Sequence, residues 1–411
     1  MTTTKGTSES VGDKYNLLSW QARPMHATIE KIINNQNADD EHNAPKEVLK
    51  AATGRWDLTT GIRPVDLYVY LKARFGEPNG ITMISKNHED SDNLIHWHYS
   101  LETSLGPLDF ICWSFRLEIW HPLAPCFSDP NDFLLAVKQD FSRFSSSMKE
   151  IRKGLEKWKV FLNPYFRLKT MIETQLQELE DLRLEEVKEP IQPRTVEEAE
   201  SFTEAFSDTA KKFTKSAQIG LGIRMLTPVW AESFVNLLLF VMARPEVRGD
   251  KRLYDGIMRQ NIDLRIRGIH LNCVGFVSQV KYDEWDACKK FHSMMNRRND
   301  LLHGNVDPEL TTFDELYFEK KTPLYIEFKD FSFFSYKATL LNVTPEQALE
   351  DYQTVQDLAS HILLCIDCKI REDVVRIVLS RHLGWDEGRQ RVGILFPDHL
   401  ADAVFSFGSS G

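Results

Sequence analysis

The hydrophobic period of this chain changes partway along it, so one kind of secondary structure cannot account for the whole. Ile95, Trp97, Tyr99 and Leu101 alternate with His96, His98, Ser100 and Glu102, and Trp113, Phe115, Leu117 and Ile119 alternate with Cys112, Ser114, Arg116 and Glu118. Period two predicts strands with one wet face. The Ser104-Leu-Gly-Pro107 turn between the two runs predicts an antiparallel hairpin. Further on, Phe141, Phe144, Met148, Ile151, Leu155, Trp158 and Leu162 step by three and four, which is the spacing of a coiled-coil seam. Asn163-Pro164 breaks that seam, and Tyr165, Leu168, Ile172, Leu179 and Leu182 resume it.

These periods divide the chain. Residues 1–60 are polar and read as largely irregular. Residues 61–135 read as a small α+β domain, with a helix from Pro64 and the hairpin above. Residues 136–189 read as a long helical hairpin or coiled-coil-like connector. Residues 190–209, crowded with acids and interrupted by Pro190 and Pro193, read as a linker. Residues 210–370 read as a helical bundle. In it, Thr227-Pro228 is expected to open a helix, Trp285 to His303 to form another, and Thr344-Pro-Glu-Gln347 to cap a third as a capping box. The Phe- and Tyr-rich stretch at about 310–342 is expected to be a β insertion, and 371–411 a tail with one more helix. The fold class is therefore mainly α, with an α+β N-terminal part.

Bulk properties restrict function. The chain of 411 residues carries a net charge of −10, so any nucleic-acid contact must be local. Residues 241–300 are the exception, with 12 Lys+Arg against 8 Asp+Glu. There Arg244, Arg248, Lys251, Arg252, Arg265, Arg267, Lys289 and Lys290 suit either a nucleic-acid backbone or a solvated helix face. Six scattered cysteines fit a reducing compartment. The polar N-terminus carries no signal-peptide core, and the longest apolar run, around Phe234–Ala243, is too short to span a bilayer. A cytoplasmic location follows as an expectation, without membrane attachment.

The densest chemistry is Met295-Asn-Arg-Arg-Asn-Asp-Leu-Leu-His-Gly304. On a helix, Asn299 and His303 share a face. Arg298 stands about 140° round from His303, within reach of a shared ligand through its long side chain. Gly304 suits the left-handed position after a helix end, which puts His303 in the last turn, where the helix dipole favours a cation. Histidine exchanges protons near neutral pH, and the arginine fork fits a phosphate. A phosphodiester site without a metal has these parts; an ordinary capped helix end has them too.

Arg298-Asn-Asp-Leu-Leu-His303 resembles the Arg-x(4–6)-His motif of the HEPN superfamily, with Asn299 as the polar residue after the arginine. The setting is similar as well: an earlier helix bears Glu232 and Asn236, and a long amphipathic helix follows at 345–370. The resemblance covers about 210–370, and the insertion at 310–342 departs from it. It implies a metal-independent endoribonuclease, in many such families a toxin or antiviral defence effector, with two motifs facing across a homodimer. Arg298 would hold the scissile phosphate. His303 would act on the 2′-hydroxyl or the leaving group, and Asn299 would orient His303 or the phosphate. Arg297 also fits the longer spacing, and with Lys289, Lys290 and Arg252 it is a candidate RNA contact. No cofactor or metal is implied, and the partners would be RNA, a second copy and a regulatory protein. The alternative is an inactive HEPN-like interaction protein working through the 141–182 seam and the N-terminal module.

Other constellations point to chemistry less strongly. His96, His98 and His121 could offer zinc ligands, but no acidic or cysteine partner has the spacing, so a wet sheet face is expected. Cys365-Ile-Asp-Cys368 is a lone pair without a second, read as buried helix cysteines. Glu232 can be placed near His303, or simply on a solvated face.

Overall fold

The computed structural model describes residues 13–23, 53–84, 95–191, 193–304, 308–327, 330–395 and 402–405. Most of the irregular stretch expected at 1–60 lies outside them. The chain forms two compact units, divided between Lys157 and Trp158, with the C-terminal residues from Phe396 joining the first.

The first unit is α+β. Strands β1 (Gln21–Ala22), β2 (Thr53–Leu58), β3 (Ile81–Ile84), β4 (Ile95–Thr103), β5 (Gly106–Trp113) and β6 (Leu117–Pro122) alternate with helices α1 (Pro64–Phe75), α2 (Pro130–Asp140) and α3 (Ser145–Gly154). The main sheet is antiparallel in the order β1-β4-β5-β6-β2. A hairpin forms after β4 as expected, but its second strand is β5, starting inside the expected turn, and not the 112–119 run; Tyr99 lies opposite Phe110, and Gly106 has φ 124°, a conformation that favours glycine. The second alternating run divides: Ser114–Arg116 turns the chain, and Trp113 and Leu117 fall on different strands. Tyr99, Leu101, Leu108, Phe110 and Ile119 form one side of a core with Leu67, Tyr70 and Phe133 on the other. The terminal segment Asp402–Phe405 pairs antiparallel with β3.

The coiled-coil seam is not a continuous helix. Phe141–Phe144 is a 3-10 turn, α3 stops at Gly154, Leu155 is extended, and Trp158–Leu162 forms strand β7. Spacing by three and four is common to any amphipathic run. Here the β-favouring Trp-Lys-Val-Phe-Leu sequence has a partner strand 220 residues later, which propensity alone cannot reveal. Asn163 then caps helix α4 (Pro164–Asp181), its Oδ1 accepting from the Tyr165 and Phe166 amides.

The second unit is mainly helical. After α4 come α5 (Val196–Met242), α6 (Pro245–Gly249), α7 (Lys251–Met258), α8 (Ile262–Asn272), α9 (Asp286–His303) and α10 (Pro308–Thr311). A two-stranded hairpin follows, β8 (Tyr317–Glu319) and β9 (Thr322–Leu324). Helices α11 (Phe331–Ala338), α12 (Pro345–Leu364) and α13 (Cys368–Leu379) and strands β10 (His382–Asp386) and β11 (Arg391–Ile394) complete the unit. Strands β11, β10 and β7 form one small sheet. The β insertion is thus shorter than expected, because Phe331–Ala338 is helical behind an Asp330 cap. The described residues beyond α13 supply strands; most of the end expected to be weakly structured lies outside the described residues.

Helix α5 differs most from expectation. It begins at the Thr195 cap, inside the presumed linker, and runs through Thr227-Pro228. The Thr227 hydroxyl donates to the Ile223 carbonyl at 2.7 Å instead of capping a new helix. Buried residues on both sides of Pro228, from Phe213, Ile219 and Ile223 to Trp230, Phe234 and Leu238, hold the helix together across it. Tertiary burial outweighs the proline penalty of about 3 kcal/mol. This helix is long and apolar enough to cross a membrane by composition, yet 61% of the relevant window is buried within the protein, as befits a core helix. Helix α12 begins with the expected capping box, Thr344 with Gln347.

Candidate functional site

Helix α9 carries the Arg/His motif and packs on α12 and α5. Its buried residues are Ala287, Cys288, Phe291 and Met294, and none after Met294 is buried. Leu302 is 58% exposed. The last two turns therefore overhang the core. Gly304 adopts the left-handed conformation expected of it, at φ 57°, and its amide closes the helix onto the Leu301 carbonyl.

A buried charge network holds this overhang. Asp351 of α12 is almost fully buried. Its Oδ2 accepts from Arg224 Nε of α5 at 2.8 Å, and its Oδ1 from Arg297 Nη2 of α9 at 3.0 Å. Arg224, also buried, donates further to the Asn342 carbonyl and to Gln347 Oε1. Two arginines on one buried carboxylate leave none of the three charges without a partner. Arg297, a candidate RNA contact, is therefore bound to the core through Asp351, although about half of its side chain stays exposed.

Arg298 points elsewhere. Its Nε and Nη2 both donate to Asn299 Oδ1, at 3.3 and 2.9 Å. The polar residue after the arginine thus orients the guanidinium, whereas the sequence suggested it would orient His303 or a phosphate. His303 is exposed and makes no hydrogen bond among the described residues. Helical spacing puts its Cα about 7.5 Å along the axis from that of Arg298. Both side chains lie on the last turns of α9.

The other basic residues separate into two groups. Lys289 and Arg252 are exposed, while Lys290 reaches Asp286 one turn back. Lys289 stands some 20 Å along the helix from His303, so only an extended ligand spans both. Arg244 and Arg248 are tied to backbone carbonyls, of Leu271 and of Phe240 and Gln390. Arg267 pairs with Asp283, and Arg265 is buried against Glu232 and Asn236. Glu232 thus serves Arg265 and not His303.

Zinc has no site among the described residues. His98 is buried rather than on a wet face: its Nδ1 accepts from the Ile81 amide at 3.1 Å and its Nε2 bonds Asp109 at 3.1 Å. His121 stacks on Phe127 and lies tilted against Trp56. Cys365 and Cys368 straddle the α12–α13 junction instead of sharing a helix, and Cys368 is exposed.

Sequence reading missed Asp351 and Arg224. A charged residue inside the apolar 219–242 run was the available signal for Arg224. Asp351 looked like any helix-surface acid, because its partners lie 127 and 54 positions away. No family model, no curated protein and no solved structure matches the chain.

Proposed function

We propose that the second unit is a metal-independent endoribonuclease of the HEPN kind, with Arg298 and His303 as its catalytic pair and a second copy completing the site. One observation carries this reading. The motif's histidine is exposed and its arginine half-buried on a helix end anchored by a buried ion pair, with Arg298 pre-oriented by Asn299. A core-directed or internally paired Arg/His would serve structure alone.

The chemistry follows from the groups present. The RNA 2′-oxygen bonds to the adjacent phosphorus, and the bond from phosphorus to the 5′-oxygen breaks. Arg298 offsets the charge on the non-bridging oxygens. His303 takes the 2′ proton or delivers a proton to the leaving oxygen. One imidazole cannot do both at once, and an opposed copy supplies the second. The products carry a 2′,3′-cyclic phosphate and a 5′-hydroxyl.

The test compares wild type with His303→Ala and Arg298→Ala on total cellular RNA, with and without EDTA. Cleavage should survive the chelator, leave cyclic-phosphate ends and disappear in both variants while each stays folded. Equal cleavage by either variant, or activity that requires a metal, overturns the proposal. The alternative, an inactive interaction protein, would use the Pro164–Asp181 helix and the N-terminal module, because the 141–162 half of the seam is a 3-10 turn, a short helix and a strand.

A further inference from the structure

We propose that the β8–β9 hairpin of one copy docks into an acidic, apolar groove on the second unit of another copy, the exchange being reciprocal so that two chains close a twofold dimer.

All six residues of the hairpin's strands are exposed, with Tyr317 at 62% and Phe318 at 61%. Two three-residue strands are marginal in water without a surface to pack on. Clustered exposed aromatics on a small projection mark an interaction surface rather than ordinary scatter. The tip is Lys320-Lys321, with Lys320 in the left-handed conformation at φ 56°. The hairpin therefore presents two ammonium groups ahead of an apolar, aromatic stem.

The groove has the opposite character. It lies among α4, the segment after it, α11 and α12, with a volume of about 780 Å³. Leu176, Leu184 and Leu349 give it apolar walls, and Glu173, Glu180, Glu185 and Glu346 line it with carboxylates. Glu173 is engaged by Lys169 and by the Tyr352 hydroxyl. Glu180, Glu185 and Glu346 have no ion-pair partner among the described residues. Lys337 also lines the groove, its ammonium 4.6 Å from the Phe333 ring. No residue of the hairpin lines the groove, so the chain's own arm does not fill it. A lysine-tipped apolar arm is what a carboxylate-lined apolar groove complements.

A second copy is the occupant because the complementary arm is part of the same chain. The hairpin ends seven residues before α11, which itself lines the groove. Donor and acceptor surfaces thus lie close together along one chain, as a self-complementary twofold interface requires. RNA is a poorer occupant for the hairpin, since Asp314, Glu315, Glu319 and Glu327 flank the two lysines.

Charge-swap complementation tests this by sedimentation equilibrium without RNA. The ribonuclease reading also needs a second copy, so the two proposals are told apart by the variants: a dimer indifferent to the arm and groove substitutions sinks the docking alone, and loss of cleavage with dimerisation intact sinks the ribonuclease reading alone. Wild type should sediment at twice the 47.6 kDa chain mass. Lys320→Glu with Lys321→Glu should weaken association roughly a hundredfold. Glu180→Lys with Glu185→Lys should do the same. Mixed together, the two double variants should form a dimer again, because each acidic arm then meets a basic groove and each basic arm an acidic one. All substituted residues are exposed, and circular dichroism checks that each variant folds. A monomeric wild type, a dimer indifferent to both substitutions, or failure of the mixture to reassociate overturns the proposal. So does loss of RNA binding by the arm variant with its mass unchanged.

Discussion

Arg297 Nη2 donates to Asp351 Oδ1 at 3.0 Å, and that bond ties the overhanging end of the motif helix to the core. Asp351 is 2% exposed at its side chain and Arg297 45%. The two ends of one ion pair therefore differ greatly in what their loss would cost. Removing Asp351 strands the buried Arg224 guanidinium, whereas removing Arg297 leaves Asp351 still paired with Arg224 at 2.8 Å.

Asp351→Ala should accordingly destabilise the second unit by about 3–5 kcal/mol. Arg297→Ala should cost about 1 kcal/mol or less, since water screens its exposed half. Urea denaturation of both variants checks this. Equal losses would mean that Arg224 does not depend on Asp351.

Asn299 holds Arg298 through two donors on one oxygen. An exposed hydrogen bond of about 0.5–1.5 kcal/mol corresponds to a roughly twofold to tenfold effect. Asn299→Ala should slow single-turnover RNA cleavage by that much and leave stability alone, while Arg298→Ala abolishes cleavage. If Asn299→Ala is as inactive as Arg298→Ala, Asn299 contacts the substrate itself.

Gly304 ends the motif helix at φ 57°, and a Cβ there would meet nothing within 4 Å. The cost of replacing it is thus conformational only. Gly304→Ala should lose about 1 kcal/mol and Gly304→Asn less, because asparagine tolerates the left-handed region. Gly304→Val should fray the last turn and, with it, His303. Amide exchange of Leu301 to Gly304 reads the fraying; full protection in Gly304→Val would refute this account.

What could be read from the sequence was local. Strand β4, the Gly304 stop, the Thr344 capping box and the long α12 follow from period and end signals that lie within a few residues. Where two local signals competed with a distant partner, the partner prevailed. Trp158–Leu162 pairs with His382–Asp386, and Thr227-Pro228 is carried through by burial on both sides. The candidate site shows the same division. Arg298, Asn299 and His303 were legible from spacing on one helix. That Arg297 is bound inward, and that Glu232 and Asn236 belong to Arg265, depends on residues from other helices. No periodicity reports such contacts.

His121 gives the first unit a pH dependence with a definite sign. Its ring stacks on Phe127 and lies tilted against Trp56, and a side chain on Gly54 would strike it. Burial pushes its pKa below the ordinary 6.5, against the opposing effect of its Nδ1 bond to the Pro122 carbonyl at 3.0 Å. The folded form thus binds fewer protons than the unfolded one in the window between the lowered value and 6.5. Stability contributed by the neutral ring is present above pH 6.5 and is lost as pH falls from there through the folded value. Amide-exchange opening energies for β2 and β6 should therefore rise with pH up to about 6.5 and flatten beyond it. In His121→Gln, which cannot titrate, that part of the slope should vanish. A slope unchanged by the substitution would assign the effect to another group.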